Sequence, residues 1–146
     1  MNILMILEST FPDDRRVENE ATSLIKGGHN VHLACFSGQS KDHYTEYKGI
    51  KIHGKKINWF TRKISVGALK FPYYFNFWKR YITSLIEGIK IDVIHIHDLP
   101  LIKPVYELQN DYNFKIVLDL HENWPGLLNI SPHTKTFLGR ILSDIK

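Results

Sequence analysis

Asn2-Ile3-Leu4-Met5-Ile6-Leu7-Glu8, a helix-patterned segment, and then Val31-His32-Leu33-Ala34-Cys35-Phe36 decide the fold. The first run is short, rich in Ile and Leu and free of polar alternation. A parallel strand buried on both faces has that composition. Ser9-Thr10-Phe11-Pro12-Asp13-Asp14 bounds it. Between the two runs, Val17, Ala21, Leu24 and Ile25 fall at i, i+4, i+7 and i+8, which is one stripe of a helix. Asp13 or Asp14 supplies its N-cap. Gly27-Gly28 ends it, because glycine accepts the left-handed conformation that closes a helix.

The alternation continues outward. A third strand near residues 49–55 alternates around Ile50, Ile52 and His53 and reads as more exposed. Ser37 to Ser40 and Asn58 to Gly67 read as loops. A long helix runs from about Phe71 to Ile89, with Phe71, Tyr74, Phe75, Trp78, Ile82, Leu85, Ile86 and Ile89 as its buried stripe. Tyr73, Phe77 and Arg80 project from roughly the opposite face. A fourth strand lies near 93–97, and Leu99-Pro100 opens a helix that reaches about Gln109. A fifth strand lies near 115–120, followed by a loop at 124–133 and a helix from Thr134 to Ile145. Strand and helix in alternation predict an α/β domain with a doubly wound parallel sheet, strand order 3-2-1-4-5.

At 146 residues, 43% hydrophobic and 23% charged, the chain has the composition of one globular domain with its own core. The single cysteine, Cys35, excludes an internal disulfide framework and a Cys-rich zinc site, and fits a reducing compartment. No run approaches the about 18 apolar residues of a membrane span. The start lacks the basic segment and cleavage site of a signal peptide.

Charge is unevenly spread. Tyr47 to Ile86 contains Lys48, Lys51, Lys55, Lys56, Arg62, Lys63, Lys70, Lys79 and Arg80 and no acidic residue; the rest of the chain is net acidic. Trp59, Phe60 and a run of aromatics from Phe71 to Tyr81 share that stretch. Basic and aromatic residues together fit an anionic partner with apolar parts: a membrane surface, a lipid-linked substrate or single-stranded nucleic acid. No nucleic-acid reading motif accompanies them, so nucleic acid is not expected. Lys63, Tyr73, Phe77, Lys79 and Arg80 are the candidate membrane-facing residues. The alternative is a buried amphipathic helix whose lysines are simply solvated.

In doubly wound sheets, ligands bind beyond the carboxyl ends of the strands. Those ends carry Glu8, Ser9 and Thr10, then His95, His97 and Asp98, then Asp119, His121 and Glu122. Ser9, His97 and His121 are expected to converge. The plainer reading makes His95 and His97 hydrogen-bonded residues sharing one face of the fourth strand. His97, Asp98, His121 and Glu122 are ligand types, but no metal-binding spacing such as H-E-x-x-H is present, and no metal is expected. The first strand-to-helix turn lacks G-x-G-x-x-G and the phosphate-binding lysine motif, which argues against a tightly bound dinucleotide. Arg16, at the helix start, either reaches a phosphate or pairs locally with Glu18, Glu20 or the two aspartates.

Three segments carry a resemblance. Asp14-Arg15-Arg16-Val17-Glu18-Asn19-Glu20-Ala21 through Gly28-His29-Asn30-Val31 resembles the first helix and second strand of glycosyltransferase family 4. Asp92-Val93-Ile94-His95-Ile96-His97-Asp98 resembles its D-V-I-H-x-H fourth strand, and Val117-Leu118-Asp119-Leu120-His121-Glu122 its fifth. Asp13-Asp14-Arg15-Arg16 stands where many relatives place a glycine pair. The resemblance implies a GT-B enzyme built of two Rossmann-like domains, with residues 1–146 as the N-terminal, acceptor-binding domain and the donor-binding domain absent. It implies retaining transfer from a nucleotide-sugar to a glycan or lipid-linked acceptor, as in polysaccharide biosynthesis, with no cofactor. His121 would be the catalytic residue, Ser9, His97, Asp98 and Glu122 would line the acceptor side, and Arg16 would meet the donor phosphate. The expected location is cytoplasmic, peripheral on the inner face of the membrane, and the isolated chain is expected to be inactive. The alternative is a non-enzymatic Rossmann-like module docking on anionic membranes.

Overall fold

The computed structural model describes residues 1–59 and 73–119. The helix expected at 134–145, the loop at 124–133, and Lys63, Phe71, His121 and Glu122 lie outside the described residues.

The elements are β1 (Asn2–Ile6), α1 (Arg15–Lys26), β2 (Asn30–Phe36), β3 (His43–Tyr47), β4 (Ile50–Lys55), α2 (Tyr73–Gly88), β5 (Val93–Ile96), a 3-10 turn (Leu99–Leu101), α3 (Ile102–Leu108) and β6 (Lys115–Leu118). They form one sheet in the order β3-β4-β2-β1-β5-β6. Pairing is parallel except between β3 and β4. The five expected strands occur in the expected order. The addition is β3, an antiparallel edge strand that covers β4. The strand read as exposed is therefore an interior one, and its residues alternate between buried and half-buried.

The β3–β4 hairpin turns on Lys48 (φ 51°) and Gly49 (φ 81°). Two consecutive positive φ values mark the primed turn that matches strand twist. Gly54, opposite His43, allows close approach: a Cβ there would lie 2.1 Å from the His43 ring.

Helix α1 is capped by Asp14, whose Oδ1 accepts from the backbone N–H groups of Arg16 (3.0 Å) and Val17 (3.2 Å). This resolves the choice between the two aspartates. Its end is closed by Gly28 at φ 81°, and the His29 N–H donates to the Leu24 carbonyl at 3.1 Å.

The sheet divides two cores. Ile3, Met5, Leu7, Val31, Leu33 and Cys35 face α1 with Val17 and Ala21. Leu4, Ile6, Ala34, Phe36, Ile94 and Ile96 face α2 and α3, around the fully buried Trp78 and Tyr74. Strand alternation sends odd and even residues of β1 to opposite cores. The buried residues of α2 are Tyr74, Phe75, Trp78, Tyr81 and Ile82. Phe77 belongs with them in part: its ring packs on Phe36 (6.4 Å between centroids) and Trp78 (5.9 Å). The expectation that it projects away from the core is corrected, because Phe36 at the end of β2 packs against that flank of the helix.

Candidate functional site

Chain order makes β1 lead to β2 on one side, while β5 lies against β1 on the other. In doubly wound sheets the crevice that takes a ligand is expected at such a switch, here beyond the carboxyl ends of β1 and β5.

Asp98, just past β5, does not stand free in that crevice. Its Oδ2 accepts from the backbone N–H of Glu8 at 2.7 Å, joining the ends of the two strands. Glu8 Oε2 is buried. Burial pushes the Glu8 carboxyl up to about 7; Tyr74 pulls the other way, and the Asp98 charge adds to the rise. Ser9 is exposed. Its hydroxyl donates to the Thr10 carbonyl at 3.2 Å, and its own carbonyl accepts from Phe36 N–H at 2.9 Å.

His95 and His97 alternate with Ile94 and Ile96 and so point to the α1 face of the sheet. His97 exposes only 1% of its surface. Neither ring nitrogen has a hydrogen-bond partner among the described residues. Its Nδ1 lies 3.6 Å from Glu20 Oε2 and 3.8 Å from Asp119 Oδ2. Burial, then His95 and Arg16, lower His97 to about 4, against the opposing pull of Asp119 and Asp14. His95, half-buried, is lowered for the same leading reason. Both imidazoles are therefore neutral near pH 7.

Arg16 pairs with Asp119, at the end of β6, and lies 3.6 Å from Asp14 Oδ2. Asp14 is among the local partners expected for Arg16; Asp119 is a partner not expected for it. Ser9 and His97 thus both sit at the carboxyl end of the sheet but in different settings: Ser9 at the surface, His97 buried beside Glu20 and Asp119. His121 follows Asp119 by two residues and lies outside the described residues, so the expected three-way convergence is not addressed there.

Glu20 is the residue that sequence reasoning passed over as a site member; Asp119 was named at its strand end but given no role. Glu20 lies one helical turn beyond Arg16, which was the available signal. An apolar groove lined by Ile3, Leu24, Val93 and Val117 runs from Glu20 and His95 along the flank of α1.

On the other face, Tyr73 is 66% exposed and Arg80 is exposed. They line a shallow pocket with Lys55, Asn76 and Tyr81. Lys79 Nζ is 3.2 Å from Glu107 Oε2 of α3, so this lysine is held in an ion pair. Among the described residues, no helix is long and apolar enough to cross a membrane.

Residues 14–145 match the family model described as Glycosyltransferase Family 4. A search of the curated proteins gives no match. Among solved structures, the chain is similar to a trehalose-6-phosphate protein from E. coli bound with UDP-2-fluoro glucose, at 12% identity and a TM-score of 0.61, covering 98% of this chain and 42% of that one. It is similar to sucrose-phosphate synthase from Thermosynechococcus elongatus at 15% identity and a TM-score of 0.62, covering 97% and 38%. A trehalose-6-phosphate synthase gives 15% and 0.60, covering 98% and 39%. At these identities the likeness is one of fold, that of the GT-B glycosyltransferases. The chain spans about two fifths of the length of these proteins.

Proposed function

The chain belongs to glycosyltransferase family 4, and from that premise we propose that residues 1–146 form the acceptor-binding half of a retaining glycosyltransferase that moves a sugar from a nucleotide-sugar to a glycan or lipid-linked acceptor. The observation that carries this reading is the polar cluster at the carboxyl ends of β5 and β6, where Arg16 and Glu20 of α1 meet His95, His97 and Asp119, next to the Asp98–Glu8 bond that joins β5 to β1.

The chemistry asked of this half is positioning and charge stabilisation rather than covalent attack. His121 is the proposed catalytic residue, hydrogen-bonding the sugar or the acceptor as positive charge develops on the transferred ring. The donor's own phosphate takes the acceptor proton, so neither a protein nucleophile nor a cofactor is assigned to the transfer. Ser9, exposed at the end of β1, and Glu122 are the proposed acceptor contacts. Asp98 and His97 support the acceptor side, the first by tying the strand ends together, the second from a buried position. Arg16 meets the donor phosphate by exchanging Asp119 for it, a substitution of one anion for another.

The donor-binding domain lies in a separate half of the protein on this reading, and the isolated chain should not turn over. A panel of UDP- and GDP-sugars, with polyprenyl-linked and glycan acceptors, tests the activity on the protein carrying both halves. Transfer is expected, and His121→Ala should lower kcat by about a hundredfold or more. No transfer with any donor, or full activity in His121→Ala, would overturn the assignment. Transfer by residues 1–146 alone would overturn the division of labour.

A second reading rests on exposed Tyr73 and Arg80 on α2. It places the protein peripherally on the inner face of the cell membrane, with the basic stretch against anionic lipid. As a non-enzymatic module the chain would bind such surfaces and transfer nothing.

A further inference from the structure

Two strand residues and one helix residue meet on the α1 face of the sheet. His95 and His97 stand at i and i+2 of β5, so strand alternation aims both imidazoles the same way. Their ring centroids are 4.3 Å apart. Glu20 descends on them from α1. One ligand atom from each of the three lies within 4.8 Å of the others.

Hydrogen bonding does not account for this arrangement. Both His97 nitrogens and Glu20 Oε2 are buried without a partner among the described residues. Each such group ordinarily costs about 1–3 kcal/mol. The 3.6 Å between His97 Nδ1 and Glu20 Oε2 is too long for a hydrogen bond. It is close to the about 3.3 Å that separates two ligands each about 2.0 Å from one tetrahedral ion. Charge agrees: among the described residues, Asp14, Glu20 and Asp119 lie about the site with the Arg16 guanidinium, so carboxylates outnumber the cation there. Burial also keeps both imidazoles neutral, the form that binds metal.

We infer that Glu20, His95 and His97 form a binding site for one divalent transition ion of the zinc class. Two nitrogens and one carboxylate oxygen suit zinc, with a fourth position left for water. Asp119, at 3.8 Å from the same His97 Nδ1, is a further carboxylate at the edge of the site. The ion would clip α1 to β5 beside the crevice. No step of sugar transfer is assigned to it.

The test is calorimetric titration of Zn²⁺, and absorption titration of Co²⁺, into the full chain after chelator dialysis. One ion per chain is expected, with a rise in Tm that grows with ion concentration. Glu20→Gln and His95→Ala should each weaken binding at least tenfold. Both positions are partly exposed, so these variants should fold, which circular dichroism checks; His97→Asn is a less secure variant because of its burial. His53→Ala, on β4, whose ring stacks on His32, should leave affinity unchanged. No saturable binding, binding unaffected by Glu20→Gln and His95→Ala, or binding lost in His53→Ala would each overturn the site.

Discussion

The Asp98 carboxylate accepts the backbone N–H of Glu8 at 2.7 Å, and with this bond the ends of β1 and β5 are tied together where the sheet changes direction. A residue nominated from sequence as an acceptor contact thereby has a structural task at the site's floor. A hydrogen bond to a charged acceptor contributes about 1.5–3 kcal/mol. Asp98→Ala should lower the midpoint of thermal unfolding accordingly, whereas Asp98→Asn, whose amide oxygen still accepts, should retain most of the stability. Equal losses in the two variants would show that the bond to Glu8 is not what Asp98 contributes.

Glu8 itself makes stability depend on pH. Its carboxyl rises from 4.5 to about 7 on folding, chiefly through burial, so between those values the folded state holds the proton more tightly. The contribution is full below about 4.5 and is lost as pH rises through about 7; at 1.36 kcal/mol per unit it amounts to at most about 3 kcal/mol. Tyr74 and Asp98 are the groups that face it. In urea titrations at pH 5 and pH 8, Glu8→Gln should be the more stable form at pH 8, with a smaller difference between the two pH values than the unsubstituted chain. A wild-type advantage at pH 8 would refute this.

His32 and His53 give the opposite slope. Their rings stack at 5.3 Å between centroids, with His32 Nδ1 3.0 Å from His53 Nε2. Burial lowers both, His53 to about 4, and Lys51 lowers each further. Tyr44 packs on the His53 ring from β3. A group depressed on folding contributes stability above its unfolded value, here 6.5, and loses it as pH falls toward 4. His53→Gln should flatten this acid loss. Because Glu8 acts with the other sign in part of the same window, each slope is read as the difference between wild type and its variant. An unchanged acid limb in His53→Gln would exclude the pair.

Much of the fold was legible because its signals are local. The apolar runs of β1 and β2, the stripe of α1 and the Asp14 cap are all properties of neighbouring residues, and the strand order followed from them. The edge strand β3 was not legible: His43-Tyr44-Thr45-Glu46-Tyr47 has no apolar alternation, and its turn uses Lys48-Gly49 rather than the Asn-Gly or Asp-Gly that announces such a turn. Phe77 was misplaced for a related reason. A helical wheel assigns one face to the core, but Phe36 reaches a second flank of α2. At the site, histidines at strand ends could be nominated from sequence. Their companions were less legible: Asp119 was named at a strand end without a role, and Glu20, 75 residues from His95, reaches it only because α1 packs on that face of the sheet.

The basic stretch bears the remaining prediction. Nine cationic residues and no acidic one lie between Tyr47 and Ile86, and each Lys or Arg near an anionic surface contributes up to about 1 kcal/mol. On α2, Tyr73 and Arg80 are exposed, Lys79 is paired with Glu107, and Phe77 packs on Phe36 and Trp78. The face offered to a membrane is thus narrower than the sequence stripe. Sedimentation with phosphatidylserine-containing vesicles should retain the protein, phosphatidylcholine vesicles should not, and salt should weaken the binding. Reversing Lys63, Lys79 and Arg80 to Glu should abolish it. Tyr73→Ala should reduce retention without changing Tm, because an exposed aromatic acts at the lipid interface and not in the core. Phe77→Ala should do the reverse, lowering Tm through a cavity at the Phe36 contact while leaving retention intact. Equal retention on both vesicle types, or none on either, would leave the stretch as ordinary solvated surface.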